Sequence, residues 1–340
     1  MRIGILTSGG DCPGLNAVIR GAVLKGDRIH GHEFLGIKDG WRGLVEDDVA
    51  PLPRHQIRGL SKQGGTILGT SRVGPYGEGN GGAERVRQTM ERHGMDALIA
   101  IGGEGTLTVA RMLHDEGIDV VGVPKTIDND LSATDYTFGF DTAVHVATEA
   151  IDRLRTTGES HHRCMVLEVM GRHAGWIALH AGVAGGAHAI LVPEVPVGYD
   201  QVAEWVEATM ERGRAPLVVV AEGFMPDGEI VSGGEVDGMG RPRLGGVGEQ
   251  VAHEIEARTG IESRAMALGH MQRGGSPTAY DRVLATRFGT AALDAVHDRA
   301  YGQMVALAGT EIVRVPLAEA TTELKSVPRE RWDEAAILFG

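Results

Sequence analysis

The chain has 340 residues, of which 51 are glycine and 2 are cysteine, and its formal net charge is -13. A chain of this length can bury the core of one large α/β unit or of two domains. The acidic balance disfavours nonspecific binding to nucleic acid or to acidic membranes, since both need a basic surface. Two cysteines give neither a disulfide framework nor a zinc-binding spacing, and no apolar run approaches the ~20 residues of a membrane span. We therefore expect a cytoplasmic protein.

The first strand-forming run is followed by a glycine-rich loop. Ile3–Leu6 predicts a buried strand, Thr7–Asn16 a loop and Ala17–Leu24 an amphipathic helix. Such a unit can cradle a phosphate with free backbone N–H groups and the positive end of the helix dipole, although an ordinary tight turn has the same outline. A second glycine loop follows the predicted strand Phe34–Ile37 and ends at Arg72, which either meets a phosphate or is simply solvated.

The strongest chemical signal follows two further apolar runs. Ala97–Ile101 opens onto a loop that contains Glu104, which could carry a divalent ion beside a phosphate chain or cap the following helix. Val120–Val123 then leads into Pro124–Asp130, which combines two carboxylates, an amide, a hydroxyl and an ammonium group. Open α/β sheets keep their chemistry at the carboxyl ends of strands. We therefore interpret Asp128 as the group that accepts a proton from a hydroxyl while a phosphoryl group arrives.

The alternation of strands and helices continues through the second half of the chain. Cys164–Met170, Ala189–Val192 and Leu217–Ala221 predict strands, whereas the polar, glycine-rich span Asp227–Gly248 predicts a hairpin or loop. No long segment consists of helices alone or of strands alone. The alternation therefore predicts an α/β fold of two similar three-layer lobes with mainly parallel sheets flanked by helices. The predicted first lobe is 1–138 with about 256–303, and the second is 139–255 with about 304–340.

Four arginines stand beside predicted strands in this acidic chain, namely Arg163, Arg172, Arg264 and Arg273. Arginine binds phosphate bidentately, so the group suggests a substrate that carries its own anion. Each arginine could instead belong to a salt bridge at a sheet end, and Asp130 could be a helix N-cap. Taken with the glycine loops, the set favours phosphoryl transfer, a reaction that asks a protein mainly for positioning and charge neutralisation.

Five motifs, spread in order over nearly the whole chain, resemble those of the 6-phosphofructokinases. They are Gly9–Asn16, Gly102–Thr106, Pro124–Asp130, Met170–Arg172 and Gly269–Gly275. The resemblance implies transfer of a phosphoryl group to the 1-hydroxyl of fructose 6-phosphate, with Mg²⁺, in glycolysis. It also implies a homotetramer whose sugar sites are shared between subunits, a donor-binding first lobe and a sugar-phosphate-binding second lobe.

The resemblance assigns a role to each matching position. Asp128 is similar to the family's proton acceptor and Arg172 to its transition-state arginine, and the catalytic set also includes Thr126 at the sugar and Asp130 near the metal and the phosphates. Glu104 falls at the magnesium position, where most members have Asp. The donor-binding positions are Gly10, Arg72, Val73, Gly102, Gly103, Glu104 and Gly105. The substrate-binding positions are Thr126, Asp128, Arg163, Met170, Gly171, Arg172, Glu222, Arg264, His270, Met271, Gln272 and Arg273, with Arg163 contributed across a subunit boundary.

Two positions bear on the choice of phosphoryl donor, because the family divides between ATP and pyrophosphate. Pyrophosphate users typically carry Asp where this chain has Gly105 and Lys where it has Lys125, whereas typical ATP users have Gly at both. The chain is therefore of a mixed type. A carboxylate in place of Gly105 would occupy and repel the α-phosphate region, whereas glycine leaves that region open. We therefore expect ATP as the donor, with Lys125 as a cation that helps pyrophosphate without forbidding ATP.

Three other functions compete with this interpretation. A pyrophosphate-dependent phosphofructokinase is the nearest alternative. NAD and lipid kinases carry a Gly-Gly-Asp-Gly-Thr turn that Gly102–Thr106 echoes, but they lack stretches like Met170–Trp176 and Gly269–Gly275. A non-catalytic sugar-phosphate sensor would have little reason to keep Asp128 and Arg172 together.

We predict that allosteric control by ADP and phosphoenolpyruvate is altered or lost. Many bacterial members place Arg four residues after the position of Arg20, where this chain has Leu24. The acidic effector-site residue that follows the glycine pair Gly185–Gly186 is also replaced, around Ala187–His188. Initial rates measured while each effector is titrated should therefore change little. Strong, ordinary responses to both effectors would refute the prediction.

Overall fold

The computed structural model describes residues 1–226 and 244–340, and the chain folds into two compact units. The first unit comprises Met1–Ile127, Leu131–Asp141 and Arg273–Leu324. The second comprises Asp128–Asp130, Thr142–Gln272 and Lys325–Gly340. Most of the hairpin or loop predicted at Asp227–Gly248 lies outside the described residues.

Strands and helices alternate along the chain, as the sequence predicts. The strands are β1 (Arg2–Ser8), β2 (Glu33–Ile37), β3 (Val49–Pro51), β4 (Ala97–Gly102), β5 (Val120–Pro124), β6 (Cys164–Val169), β7 (Ala189–Leu191), β8 (Leu217–Ala221), β9 (Ser263–Ala267), β10 (Gln303–Ala308) and β11 (Glu311–Pro316). The helices are α1 (Leu15–Lys25), α2 (Trp41–Glu46), α3 (Gly82–His93), α4 (Glu104–Asp115), α5 (Phe140–His161), α6 (Trp176–Gly185), α7 (Tyr199–Glu211), α8 (Val247–Thr259), α9 (Ala279–His297), α10 (Leu317–Ala320) and α11 (Arg329–Ala336). None of these described helices is both long and apolar enough to cross a membrane.

The first unit is built on a seven-stranded sheet in the order β11-β10-β5-β4-β1-β2-β3. The five inner strands pair in parallel, and the edge strands β3 and β11 pair antiparallel with their neighbours. Strands β4 and β5 are buried at every residue, because helices cover both faces of a parallel sheet. Their continuous apolar runs, visible in the sequence, follow from that burial.

Helices α1 and α9 of the first unit pack with their backbones in close contact. A Cβ atom at Gly289 would lie 2.2 Å from the carbonyl oxygen of Val18, so only glycine fits at this contact. The contact holds α1, and hence the loop that joins β1 to α1, against the body of the unit.

The second unit contains a four-stranded sheet in the order β7-β8-β6-β9, and all of its pairs are parallel. The mainly parallel α/β class is thus confirmed, although the two sheets differ in size. Four segments lie in a different unit from the one predicted, and two of them, Asp128–Asp130 and residues 139–141, are only three residues long. Residues 256–272 belong to the second unit because β9 pairs with β6, and residues 304–324 belong to the first because β10 pairs with β5.

The half-buried imidazole of His188 precedes β7 in the second unit. Its Nδ1 atom accepts a hydrogen bond from the backbone N–H of Leu217 at 3.0 Å. Burial, with a further contribution from the nearby Arg155 and Arg214 charges, lowers the pKa of His188 to about 4. The ring is therefore neutral at neutral pH, which keeps Nδ1 available as an acceptor.

This pKa predicts an acid-labile contribution to stability. In the unfolded chain His188 takes up a proton near pH 6.5, whereas in the folded chain it does so only near pH 4, so stability falls as the pH drops through this window. We expect a loss of about 1 kcal/mol at pH 5, after allowance for partial solvent screening. His188→Asn keeps an acceptor in place of Nδ1 and cannot titrate. Urea unfolding at pH 7.5 and pH 5 should therefore show a smaller loss for His188→Asn than for wild type; equal losses would contradict the assignment.

Candidate functional site

Lys125 joins the ends of three neighbouring strands in the first unit. It follows β5 directly, and its side chain is only 4% exposed. Its backbone N–H donates to the carbonyl of Gly102 at the end of β4 at 2.9 Å. Its ammonium Nζ donates to the carbonyl of Gly10 in the loop after β1 at 2.5 Å. The predicted donor-binding glycines and the predicted specificity lysine therefore lie together at the carboxyl edge of one sheet.

A fourth loop, residues 63–73, is bound to the loop after β1. Thr70 Oγ1 donates to the carbonyl of Gly9 at 2.5 Å, and the Gly9 N–H donates to the carbonyl of Ser71 at 3.1 Å. The fully buried Asn16 supports this loop from α1, since its Oδ1 accepts from Ile67 N–H at 3.0 Å. The exposed residues that follow, Arg72 and Val73, are thereby brought to the same edge of the sheet as Gly9.

Glu104 and Gly105 form the first turn of α4 and are both exposed. Within the part of the chain that the structure describes, the Glu104 carboxylate accepts one long bond, 3.4 Å, from Thr108 Oγ1. In the described part of the chain, no group of three or more His, Cys, Asp or Glu side chains is arranged to hold a metal ion. A single carboxylate nevertheless suits Mg²⁺, which takes one or two protein carboxylates and completes its shell with water and substrate phosphates.

Gly105 faces open space. Among residues 1–226 and 244–340, a Cβ atom built on it would meet no other heavy atom within 4 Å, and its backbone is not left-handed. The described part of the fold therefore imposes no steric requirement for glycine at this exposed position.

The chain passes from the first unit to the second between Ile127 and Asp128. On the first side, the carbonyl of Thr126 accepts a bond from Thr137 Oγ1 at 2.7 Å. On the second side, Asn129 adopts a left-handed conformation with φ of 52°. Lys325 bonds this turn, donating its backbone N–H to Asp130 O at 2.8 Å. Sequence reasoning missed Lys325, because no motif marks the last part of the chain.

Arg172 and Glu222 are neighbours at the carboxyl edge of the second sheet. Met170–Arg172 follow β6, Glu222 follows β8, and these strands pair in parallel. The Glu222 N–H donates to Val169 O at 2.8 Å, and the Gly223 N–H donates to Gly171 O at 3.1 Å. The predicted sugar-binding residues of these two turns thus lie together.

Gln272 is placed differently from the prediction of direct substrate binding. Its side chain is fully buried, with Oε1 accepting from Met170 N–H at 2.7 Å and Nε2 donating to Ala143 O at 3.3 Å. Gln272 therefore stabilises the backbone of the Met170 turn from the protein interior. Its neighbours His270 and Met271 are exposed, and Met271 is 71% exposed.

Arg273 lies in the first unit, against the loop after β1. Its Nη1 donates to Asp11 O at 3.2 Å, and a Cβ atom on Gly10 would lie 2.8 Å from the same nitrogen. Within one chain, Arg273 therefore contacts the loop that is predicted to bind the donor. The sequence resemblance instead predicts that Arg273 binds the sugar phosphate.

Arg163 and Arg264 lie side by side at the opposite edge of the second sheet. They stand at the amino ends of β6 and β9, where Met165 pairs with Arg264. Both bind Glu262: Arg163 Nε is 2.6 Å from Glu262 Oε2, and Arg264 Nη2 bonds Glu262 Oε1. Six residues of β6 separate this edge from Arg172, a distance of roughly 17–20 Å. One chain therefore does not bring these two arginines to the Arg172 turn.

The buried Gly223 has no room for a side chain. A Cβ atom there would lie 2.0 Å from the carbonyl oxygen of Arg172. Gly223→Ala must displace that turn, and we expect it to lower the free energy of unfolding by about 1–3 kcal/mol. Gly74→Ala is the control, since its methyl group would lie 3.9 Å from Val109. Urea unfolding measures both variants, and a Gly223→Ala protein as stable as the control would contradict the close contact.

Comparison with known proteins identifies the family of this chain. Residues 2–296 match the family model described as Phosphofructokinase. The chain is 64% identical to a pyrophosphate–fructose 6-phosphate 1-phosphotransferase of Amycolatopsis methanolica, over 100% of both chains. It is 55% identical to ATP-dependent 6-phosphofructokinase 3 of Streptomyces coelicolor, over 98% of this chain and 99% of that one. A crystal structure of Pichia pastoris phosphofructokinase in the T-state superposes with a TM-score of 0.83 at 33% identity, covering 99% of this chain and 36% of the Pichia chain. The chain therefore belongs to the phosphofructokinase family of enzymes.

Proposed function

We propose that this enzyme is an ATP-dependent 6-phosphofructokinase that phosphorylates fructose 6-phosphate at its 1-hydroxyl and so serves glycolysis in the cytoplasm. The observation that carries the choice of ATP is the open space at Gly105, beside the loops that Lys125 joins. A nucleotide needs room beyond its two terminal phosphates, and a side chain at this position would restrict that room.

The proposed chemistry uses the turn after β5 and the turn after β6. Asp128 orients the attacking hydroxyl and accepts its proton, a role whose removal typically costs ~10²- to 10⁴-fold in rate. Thr126 holds the sugar, Arg172 stabilises the charge that develops on the transferred group, and Asp130 acts near the phosphates. In-line transfer needs little beyond this positioning and charge neutralisation.

Glu104 is the proposed magnesium ligand. When bound, the ion would neutralise phosphate charge and fix the geometry of the phosphate chain. Glu104 suits this role because it is exposed in the first turn of α4, directly after Gly102 and Gly103.

We further propose that the enzyme acts as a homotetramer with shared sugar sites. Support comes from Arg163 and Arg264, which lie at the edge of the second sheet opposite to Arg172. In this proposal the pair binds the 6-phosphate in the site of a neighbouring copy, and Glu262 holds both side chains in place until substrate arrives.

Pyrophosphate is the second candidate donor. The relative at 64% identity is named for pyrophosphate, whereas the ATP-named relative is at 55%. The buried Lys125 ammonium group also favours a short, highly charged donor. Initial rates with fructose 6-phosphate, Mg²⁺ and each donor in turn decide between them. Turnover with pyrophosphate but not with ATP would overturn the proposal that ATP is the donor. Binding of fructose 6-phosphate without turnover in the presence of either donor would favour a non-catalytic sensor.

Gly105→Asp tests the reason for choosing ATP. We expect it to lower kcat/KM for ATP by at least about tenfold, because a carboxylate beside the donor repels phosphate, while KM for fructose 6-phosphate changes little. The substitution should fold, since the site is open and an acidic residue suits the first turn of a helix.

Gly105→Asn is the matched control, because it adds the same bulk without the charge. It should retain more ATP activity than Gly105→Asp, as measured by steady-state kinetics on both variants. Equal losses in the use of ATP and of fructose 6-phosphate would argue against the account.

A further inference from the structure

We propose that Lys325 is a positioning residue for the turn that carries Asp128, an inference that rests on the proposed function. Lys325 lies outside residues 2–296, the part of the chain that matches the family model. It belongs to the second unit, as do Asp128–Asp130 and the segment that follows β6. Lys325 and the residues that it contacts in this turn therefore lie in one unit.

Three groups of Lys325 form hydrogen bonds in this part of the structure: the ammonium group, the backbone N–H and the backbone carbonyl. Its ammonium Nζ donates to Asn129 Oδ1 at 3.1 Å, and its backbone N–H donates to Asp130 O at 2.8 Å. Its carbonyl accepts from Trp176 Nε1 at 2.8 Å, and its Nζ lies 5.9 Å from the centre of the Trp176 ring. One residue thus ties the Asp128–Asp130 turn to the start of α6.

The turn that Lys325 contacts contains a residue in an unfavourable backbone conformation. Asn129 is 3% exposed and has a φ of 52°, a left-handed conformation that costs a non-glycine residue roughly 1–2 kcal/mol. Asparagine tolerates this conformation better than most residues, and a partner for its side chain stabilises it further. Because Asp128 directly precedes Asn129, the conformation of Asn129 helps to set the direction of the proposed base.

A second contact fixes the segment that carries Lys325. The N–H of Val327 donates to Glu194 Oε1 at 2.7 Å, and Glu194 also accepts from the N–H of Gly175, at 3.0 and 3.1 Å. Gly175 directly precedes Trp176, so both contacts join the C-terminal segment to the turn that begins with Met170. The segment 325–327 therefore aligns the Asp128 turn with the turn that carries Arg172.

The test is a double-mutant cycle with Lys325→Met and Asn129→Gly. Lys325→Met removes the ammonium group but keeps the stem and the backbone bond to Asp130, and Asn129→Gly removes the acceptor while tolerating the left-handed φ. We expect Lys325→Met to lower kcat by roughly 10- to 100-fold, the scale of a misplaced catalytic group, with KM for fructose 6-phosphate within about twofold. Lys325→Arg, which keeps a cationic donor, should recover most of the lost kcat.

The cycle distinguishes positioning from general loss of stability. In the Asn129→Gly background, Lys325→Met should cost at most about twofold in kcat, since the interaction is already absent. Effects that multiply across the two sites would overturn the proposal. Asn129→Gly with full kcat would also overturn it, whether or not Lys325→Met folds.

A matched control and the wild type complete the experiment. Lys25→Met removes another half-buried lysine, whose Nζ is 2.5 Å from Asp294 Oδ2 in the first unit, and it should leave kcat unchanged. Wild-type enzyme is assayed first with fructose 6-phosphate and each donor. No turnover there means that the proposed function fails; wild-type turnover with an unchanged kcat in Lys325→Met means that the positioning role alone fails.

Discussion

The bond from the buried Lys125 ammonium group to the Gly10 carbonyl is the interaction on which the loops at the carboxyl edge of the first sheet depend. The same residue donates its backbone N–H to Gly102, so one position at the end of β5 fixes the loops after β1 and β4. A buried ammonium group is stable only where oxygen atoms accept its protons. The cation and the glycine loops therefore stabilise one another, and the conformation of each loop depends on its neighbours in the sheet.

Parallel pairing decides which residues of the second unit meet. Strands β6 and β8 end at the same edge, which makes Arg172 and Glu222 neighbours. The same pairing keeps Arg163 and Arg264 at the other edge, where Glu262 neutralises part of their charge. Cationic side chains therefore lie at both edges of this sheet, with Arg172 at one edge and with Arg163 and Arg264 at the other.

Polar side chains beside these turns bind backbone groups. Gln272 holds the N–H of Met170, and Lys325 holds the Asp128–Asp130 turn. The buried carboxylate of Glu168 accepts from the N–H groups of Gly246 and Gly248 at the start of α8. Each of these contacts satisfies a polar group that would otherwise be costly to bury, and each fixes the backbone of a turn.

The sequence by itself determined the α/β class, the glycine loops at strand ends, the order of the motifs and the family. These features depend on local periodicity and on residue type, which can be read along the chain. Only the tertiary structure decided that Gln272 is buried, that Arg273 lies on the Asp11 loop, that residues 304–324 join the first sheet and that Lys325 meets Asn129. These outcomes depend on strand order and register, which join residues far apart in sequence and leave no local pattern.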